Sequence, residues 1–267
     1  MQDRFSAQQI RRRRKATLIK ILKRCATADA ENVAAKLHSY AAQVITTPDE
    51  YATTLQLSLQ HHIKHYRCLK QNIDQLLSEI ALLLAQTQGA FLTSIKGIGI
   101  VLAAGVTAEI GDPLVQRPTD QLASYAGIVP KVKQSGGSQG PSITSHVSKR
   151  SNHILKDFVV QSAFHIGRYG PKDLQDDYSR REAAGQHADF GIARRFVRMA
   201  MCLMRTSQVY LPPDMRSTHI KPEQRADYYL AMWPYLRDKW SKAGGLEVAF
   251  AKDKPLGQWR YIVQEIL

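Results

Sequence analysis

The stretch Leu92–Gly111, LTSIKGIGIVLAAGVTAEIG, decides how the chain is read. At its centre, Ile95–Gly99 reads I-x-G-I-G between two apolar helical segments, with Ala103, Ala104 and Ile110 following. That spacing is the helix–hairpin–helix pattern. Glycine lets a chain turn with positive φ and lets another backbone come close. Amides opening the second helix, with its dipole behind them, can hold a phosphate oxygen. Lys96 adds a charge, so the candidate contacts are Lys96, Gly97 and Gly99. Contacts of this kind position a duplex without reading its sequence. The competing reading is an ordinary two-helix turn with glycine caps.

Outward from this turn, period-2 alternation is scarce and 3.6-residue periodicity recurs, so the expected fold is mainly all-α. Four segments are expected: a basic helical start over 1–54, a long coiled-coil-like helix over 55–90, a helical domain over 91–211, and a helical appendix over 212–267. Residues 6–44 read as one or two basic helices. TTPDE, Thr46–Glu50, is a helix start, with a capping hydroxyl, an early proline and acids facing the positive dipole end. Leu59, Ile63, Tyr66, Lys70, Ile73, Leu77, Ile80 and Leu84 then alternate in steps of four and three, as in a coiled-coil seam. Packing on its own domain competes with pairing to a second chain. His61 and His65 share a helix face without a third ligand, so a solvated polar face accounts for them better than a metal. The appendix holds all three tryptophans, Trp233, Trp240 and Trp259.

The net charge of +14 is clustered. Residues 1–24 carry nine Lys/Arg against Asp3 alone, residues 131–156 carry five against no acid, and residues 194–205 carry four against none. Clustered excess of this size points to a polyanion, most often nucleic acid. On the helix over 188–207, Arg194, Arg198 and Arg205 form a stripe off the core face, either solvated or tracking phosphates. Cys25, Cys68 and Cys202 lie far apart, which suits a reducing cytoplasm rather than a disulfide framework or a zinc site. No apolar run approaches the length of a membrane span, and RRRRK near the start has no apolar region behind it, so neither a membrane nor secretion is expected.

KVKQSGGSQG, Lys131–Gly140, interrupts the helical pattern with a basic, glycine-rich loop. Its G-x-S-x-G, Gly136–Gly140, lacks the strand–turn–helix setting of a hydrolase elbow. A flexible linker is one reading. Another makes Ser135 a nucleophile on a phosphodiester, with Lys131, Lys133, Lys149 and Arg150 supplying cations. A serine hydroxyl needs such help, and in phosphoryl transfer most of it is positioning and charge neutralisation. His146 and His153 lie near in sequence.

Four blocks in order carry a resemblance: SIKGIGIVLAAGVTAEIGD (94–112), LASYAGIVPKVKQSGG (122–137), VSKRSNHILKDFVVQSA (147–163) and FGIARRFVRMAMCLMR (190–205). Together they resemble the C-terminal domain of the insertion-sequence 110/116/902 transposases over roughly residues 91–210. The resemblance implies a recombinase that moves an element through a phosphoserine link to DNA, with Ser135 in that role. It also implies oligomers joined by a coiled coil, here around 59–84, a structured guide RNA as a second partner, and a bacterial cytoplasmic setting. Ser151 stands where the family has glycine, and Lys156 where it has arginine. The family's RuvC-like domain, with its metal-binding acids, has no counterpart in the 54 residues before the long helix. The expectation is therefore a truncated or split protein, or a decayed copy. It has no cofactor of its own, Mg²⁺ belonging to the missing domain. The alternative function is a non-catalytic DNA-binding remnant or accessory subunit.

Overall fold

The computed structural model describes residues 7–24, 27–43, 49–113, 118–134, 142–147, 151–216 and 222–266. It divides into two compact units, Met1–Gln71 and Asn72–Leu267. In the smaller unit, α1 (Ala7–Arg12) and α2 (Lys15–Arg24) pack on α3 (Ala30–Gln43). There are three helices here where one or two were expected. Asp29, with φ +57°, turns the chain just ahead of α3, and its Oδ1 accepts from the Asn32 amide at 3.4 Å. The buried residues are Leu18, Ala30, Ala34 and Ala41, so the contact is made mostly by small side chains. The Arg11 guanidinium donates to the carbonyl of Ala41 and, at 3.0 Å, to that of Ala42. These are late carbonyls of α3, where a cation complements the helix dipole.

The 36-residue helix α4, Asp49–Leu84, opens at the proline-and-acid signal. Thr47 and Pro48 lie outside the described residues. The expected seam is only partly free. Leu84 is buried in the larger unit's core, and Leu77 and Ile80 pack against that core. Large apolar residues left exposed on α4 include Leu55, Leu59, Tyr66, Leu69, Ile73, Leu76 and Leu83, as well as Tyr51, Leu57, Ile63 and Leu82. Leu55, Leu59, His62, Tyr66, Leu69, Ile73, Leu76, Ile80 and Leu83 also follow steps of four and three, a pattern that shares Leu59, Tyr66, Ile73 and Ile80 with the first and differs by one residue at the alternate positions.

The larger unit begins with a 3-10 helix, Gln88–Ser94, and α5, Ile100–Ile110. Next come α6 (Thr119–Tyr125), β1 (Pro130–Gln134), β2 (Ser142–Val147), α7 (His153–Tyr169), α8 (Lys172–Ala183) and α9 (Ala188–Thr206). After a 3-10 turn at Pro213–Arg216, α10 (Pro222–Lys242), α11 (Leu246–Ala249) and α12 (Pro255–Ile266) complete the chain. The fold is thus mainly helical, as its periodicity indicates. The exception is one antiparallel ribbon, in which Lys131 pairs with Ser145, Val132 with Thr144 and Lys133 with Ile143.

The core sits where α5, α7, α9 and the first 3-10 helix meet. Helix α9 buries Ile192, Ala193, Phe196, Val197, Ala200, Leu203 and Met204, one stripe at 3.6-residue spacing. Gly105 lets α5 lie close to α7, since a Cβ there would stand 2.4 Å from the Phe158 ring. Helices α8 and α9 are joined by charge. The buried Asp177 carboxylate accepts from Arg180, from Arg181 Nε at 3.1 Å and from Arg195 Nη1 at 3.2 Å. Arg195 also reaches Asp173 at 2.9 Å. Burial alone would raise the Asp177 carboxyl, but the three arginines outweigh it and hold the group below its ordinary value. Among the described residues, no single helix is long and apolar enough to cross a membrane.

Candidate nucleic-acid interface

The turn Ile95–Gly99 joins the 3-10 helix to α5. Ile95 and Ile98 are fully buried, while Lys96 and Gly99 face solvent. Its two isoleucines anchor the turn in the core, leaving Lys96 and Gly99 outward. Gly97 has φ +92°, and a Cβ there would lie 2.8 Å from the His165 carbonyl oxygen on α7. Both facts require glycine. Gly99 differs, with φ −83° and nothing within 4 Å of the position a Cβ would take. It caps α5 without a side-chain hydrogen bond. The space beside the Gly99 Cα, at the start of α5, is therefore open.

The second element is the ribbon. Lys131 and Lys133 lie on β1, two residues apart. Ser135 and the rest of the tip, residues 135–141, lie outside the described residues, as do Lys149 and Arg150. The base of the ribbon is tied. Asn152 donates through Nδ2 to Glu109 Oε2 at 2.6 Å and to the Tyr125 hydroxyl at 3.0 Å. Its Oδ1 caps α7 by accepting from the Leu155 amide at 2.9 Å, and its own amide donates to the Tyr125 carbonyl at 2.9 Å. One side chain thus joins α5, α6 and α7 where the ribbon leaves and re-enters the helical body. The contacts of Asn152 with Glu109 and Tyr125 join residues far apart in the chain, which sequence spacing does not reveal.

The arginine stripe is partly engaged. Arg194 Nε donates to the Phe190 carbonyl at 3.4 Å. Arg198 pairs with Asp120 of α6 at 3.3 Å, both side chains being largely exposed. A pair of that kind contributes little and exchanges readily for another anion. Arg205 donates to the Pro113 carbonyl at 3.0 Å. Lys96 lies in the turn before α5, Lys131 and Lys133 on β1, and Arg194 and Arg198 on α9, so the candidate cations come from three separate elements. Among the described residues, no group of three or more His, Cys, Asp and Glu could hold a metal ion.

These elements define a helical scaffold that carries a basic glycine turn and a lysine-bearing two-stranded ribbon. Residues 89–179 match the model of the transposase IS116/IS110/IS902 family. The chain is 27% identical over 189 residues to an uncharacterized 44.8 kDa protein of insertion element IS116 from Streptomyces clavuligerus, covering 69% of this chain and 46% of the relative. It is 31% identical over 167 residues to a 43.6 kDa protein of insertion element IS110 from Streptomyces coelicolor, covering 61% of this chain and 39% of the relative. A probable family 20 transposase of Pseudomonas aeruginosa is 30% identical over 105 residues, 36% of this chain and 30% of that protein. The matched region thus spans less than half the length of each of these relatives.

Proposed function

We propose that the chain is the DNA-binding, serine-bearing part of an insertion-element transposase, working in the bacterial cytoplasm. The observation that supports this best is the transposase-family match over 89–179, which contains both the glycine turn and Ser135. In this reading the amides opening α5 and exposed Lys96 hold a backbone phosphate, with Gly97 and Gly99 shaping the approach. Lys131, Lys133, Lys149 and Arg150 neutralise charge around the Ser135 loop, and Arg194 and Arg198 extend the basic surface.

The chemistry is transesterification. Ser135 Oγ attacks phosphorus, its proton passing to a base, and a phosphoserine ester forms. The bond from phosphorus to one sugar oxygen breaks, and that oxygen leaves as a hydroxyl after taking up a proton. No high-energy cofactor is consumed, because one phosphate ester replaces another. Mg²⁺ belongs in this reading to an acid-bearing RuvC-like domain, and the described residues here offer no ligand cluster for it. A structured RNA is the second nucleic-acid partner. A second copy pairs along the exposed face of α4 through Leu69, Ile73 and Leu76.

The test incubates the purified chain with element-end DNA, Mg²⁺ and cognate RNA, with and without a RuvC-like domain supplied in trans. A protein–DNA adduct on denaturing gels that disappears in Ser135→Ala is the expected result. DNA binding without an adduct in any combination leaves a non-catalytic DNA-binding subunit.

A further inference from the structure

Helix α10 lies beyond the matched family segment, yet it reaches back to the glycine turn. Lys239 Nζ donates to the Thr93 carbonyl at 2.6 Å, to the Ile98 carbonyl at 2.8 Å and to the Tyr235 hydroxyl at 2.5 Å. The first carbonyl precedes the turn and the second lies at its end, directly before Gly99 and α5. The ammonium also sits 4.2 Å from the centre of the Tyr235 ring, a cation–π contact. The neighbouring Trp240 is fully buried and donates from Nε1 to Thr93 Oγ1 at 3.2 Å. A cavity of about 370 Å³ adjoins the tie, lined among others by Gly99, Ile100, Tyr235, Lys239 and Lys242.

We propose that Lys239 is a positioning residue for nucleic-acid binding, cross-tying the carbonyls of Thr93 and Ile98 so that the amides opening α5 keep the geometry a backbone phosphate requires. The inference rests on the phosphate-binding reading of the turn and adds to it the C-terminal helical region, which becomes a brace of the interface. A glycine turn is otherwise soft, since each glycine widens the range of backbone angles open to it. The α10 ammonium removes that freedom by holding both ends of the turn at once.

The tie tolerates proton loss. A neutral amine has two N–H groups for the two carbonyls and a lone pair that can accept from the Tyr235 hydroxyl. Titration therefore alters the charge behind α5 while the bonds remain. Burial pushes the Lys239 ammonium down to about 7, so this charge changes near neutrality. The other ionisable groups around the junction are Tyr235, Asp238 and Lys242 on α10, Lys96 on the turn, and His165 on α7. Asp238 and Lys242 pair with each other at 2.6 Å.

The experiment uses the full chain as wild type, Lys239→Met, Tyr235→Phe and Lys96→Ala. Amide hydrogen exchange is followed without DNA, and affinity for a fluorescein-labelled DNA duplex is measured from about pH 6 to about pH 8. Lys239→Met is expected to speed exchange at residues 97–102 selectively and to weaken duplex binding about tenfold. Wild-type affinity is expected to fall as pH rises through about 7, with that component missing from Lys239→Met. A purely structural lysine would not remove a pH-dependent part of binding. If Lys96→Ala weakens binding while Lys239→Met alters neither exchange nor affinity, the brace is overturned and the phosphate-binding turn stands. If Lys96→Ala leaves binding unchanged, the phosphate reading fails and takes the brace with it. Should Lys239→Met not fold, Tyr235→Phe decides. A smaller change in the same direction supports the brace, and no change overturns it.

Discussion

The turn Ile95–Gly99 and the ribbon Pro130–Val147 both carry lysines, and both lie in or beside the matched family blocks, but they are held in different ways. The turn is anchored along its length. Ile95 and Ile98 are buried, the His165 carbonyl backs Gly97, and Lys239 ties both ends. The two strands of the ribbon pair with each other, and the residues flanking it are tied through Asn152, Glu109 and Tyr125. A phosphate grip gains from rigidity, because donors already in place need no ordering on binding. A segment that must bring a nucleophile to phosphorus needs a defined root and reach beyond it. Under the proposed function the turn would position a phosphate and the ribbon would deliver the serine.

Substitutions can break this contrast, beginning with the largest effect. Gly97→Ala forces a side chain into positive φ and against the His165 carbonyl. A loss of about 3 kcal/mol in unfolding free energy is expected, together with loss of duplex binding. Chemical denaturation and anisotropy measure both. Asn152→Ala removes a helix cap and two side-chain hydrogen bonds, one of them to a carboxylate. About 2 kcal/mol is expected, with faster amide exchange in β1 and β2 and little change at the turn. Equal effects on turn and ribbon would erase the distinction between them.

Two smaller effects sharpen it. Lys239 titrates near 7 in the folded chain, against an ordinary value of 10.5. Between these values the unfolded chain keeps a proton that the folded chain has lost, so stability rises with pH across this window. Below 7 both states are charged and the contribution is flat. Lys239→Met should abolish the rise in denaturation series run at neutral and mildly alkaline pH. Gly99→Ala meets open space at an ordinary φ, so stability should change by less than about 0.5 kcal/mol. A large loss of duplex affinity in this otherwise stable variant would mark the surface that a phosphate approaches.

Periodicity made the helical body legible. Helix α9 falls on the helix read over 188–207, and the proline-and-acid signal at residues 48–50 falls at the start of α4. The seam on α4 was readable as a repeat but not in its orientation. Two overlapping four-three patterns run along that helix, and only tertiary packing of Leu77 and Leu84, which belong to the first alone, distinguishes them. The ribbon was missed because PKVKQ and SITSHV are short, polar alternations beside a glycine-rich tip, too brief for period-2 counting. At the site, glycine at position 97 follows from chain geometry and was legible. Lys239 was not, because its partners are backbone carbonyls more than a hundred residues earlier, which leave no mark in composition or spacing.

The claim that the basic turn and ribbon form a nucleic-acid surface is tested most directly by duplex affinity against salt concentration. For wild type the logarithm of affinity should fall steeply and linearly with the logarithm of salt, as counterions leave several phosphates, and the slope should drop by about one unit in Lys96→Ala. A flat dependence, or a steep one that Lys96→Ala leaves untouched along with the affinity, would contradict it.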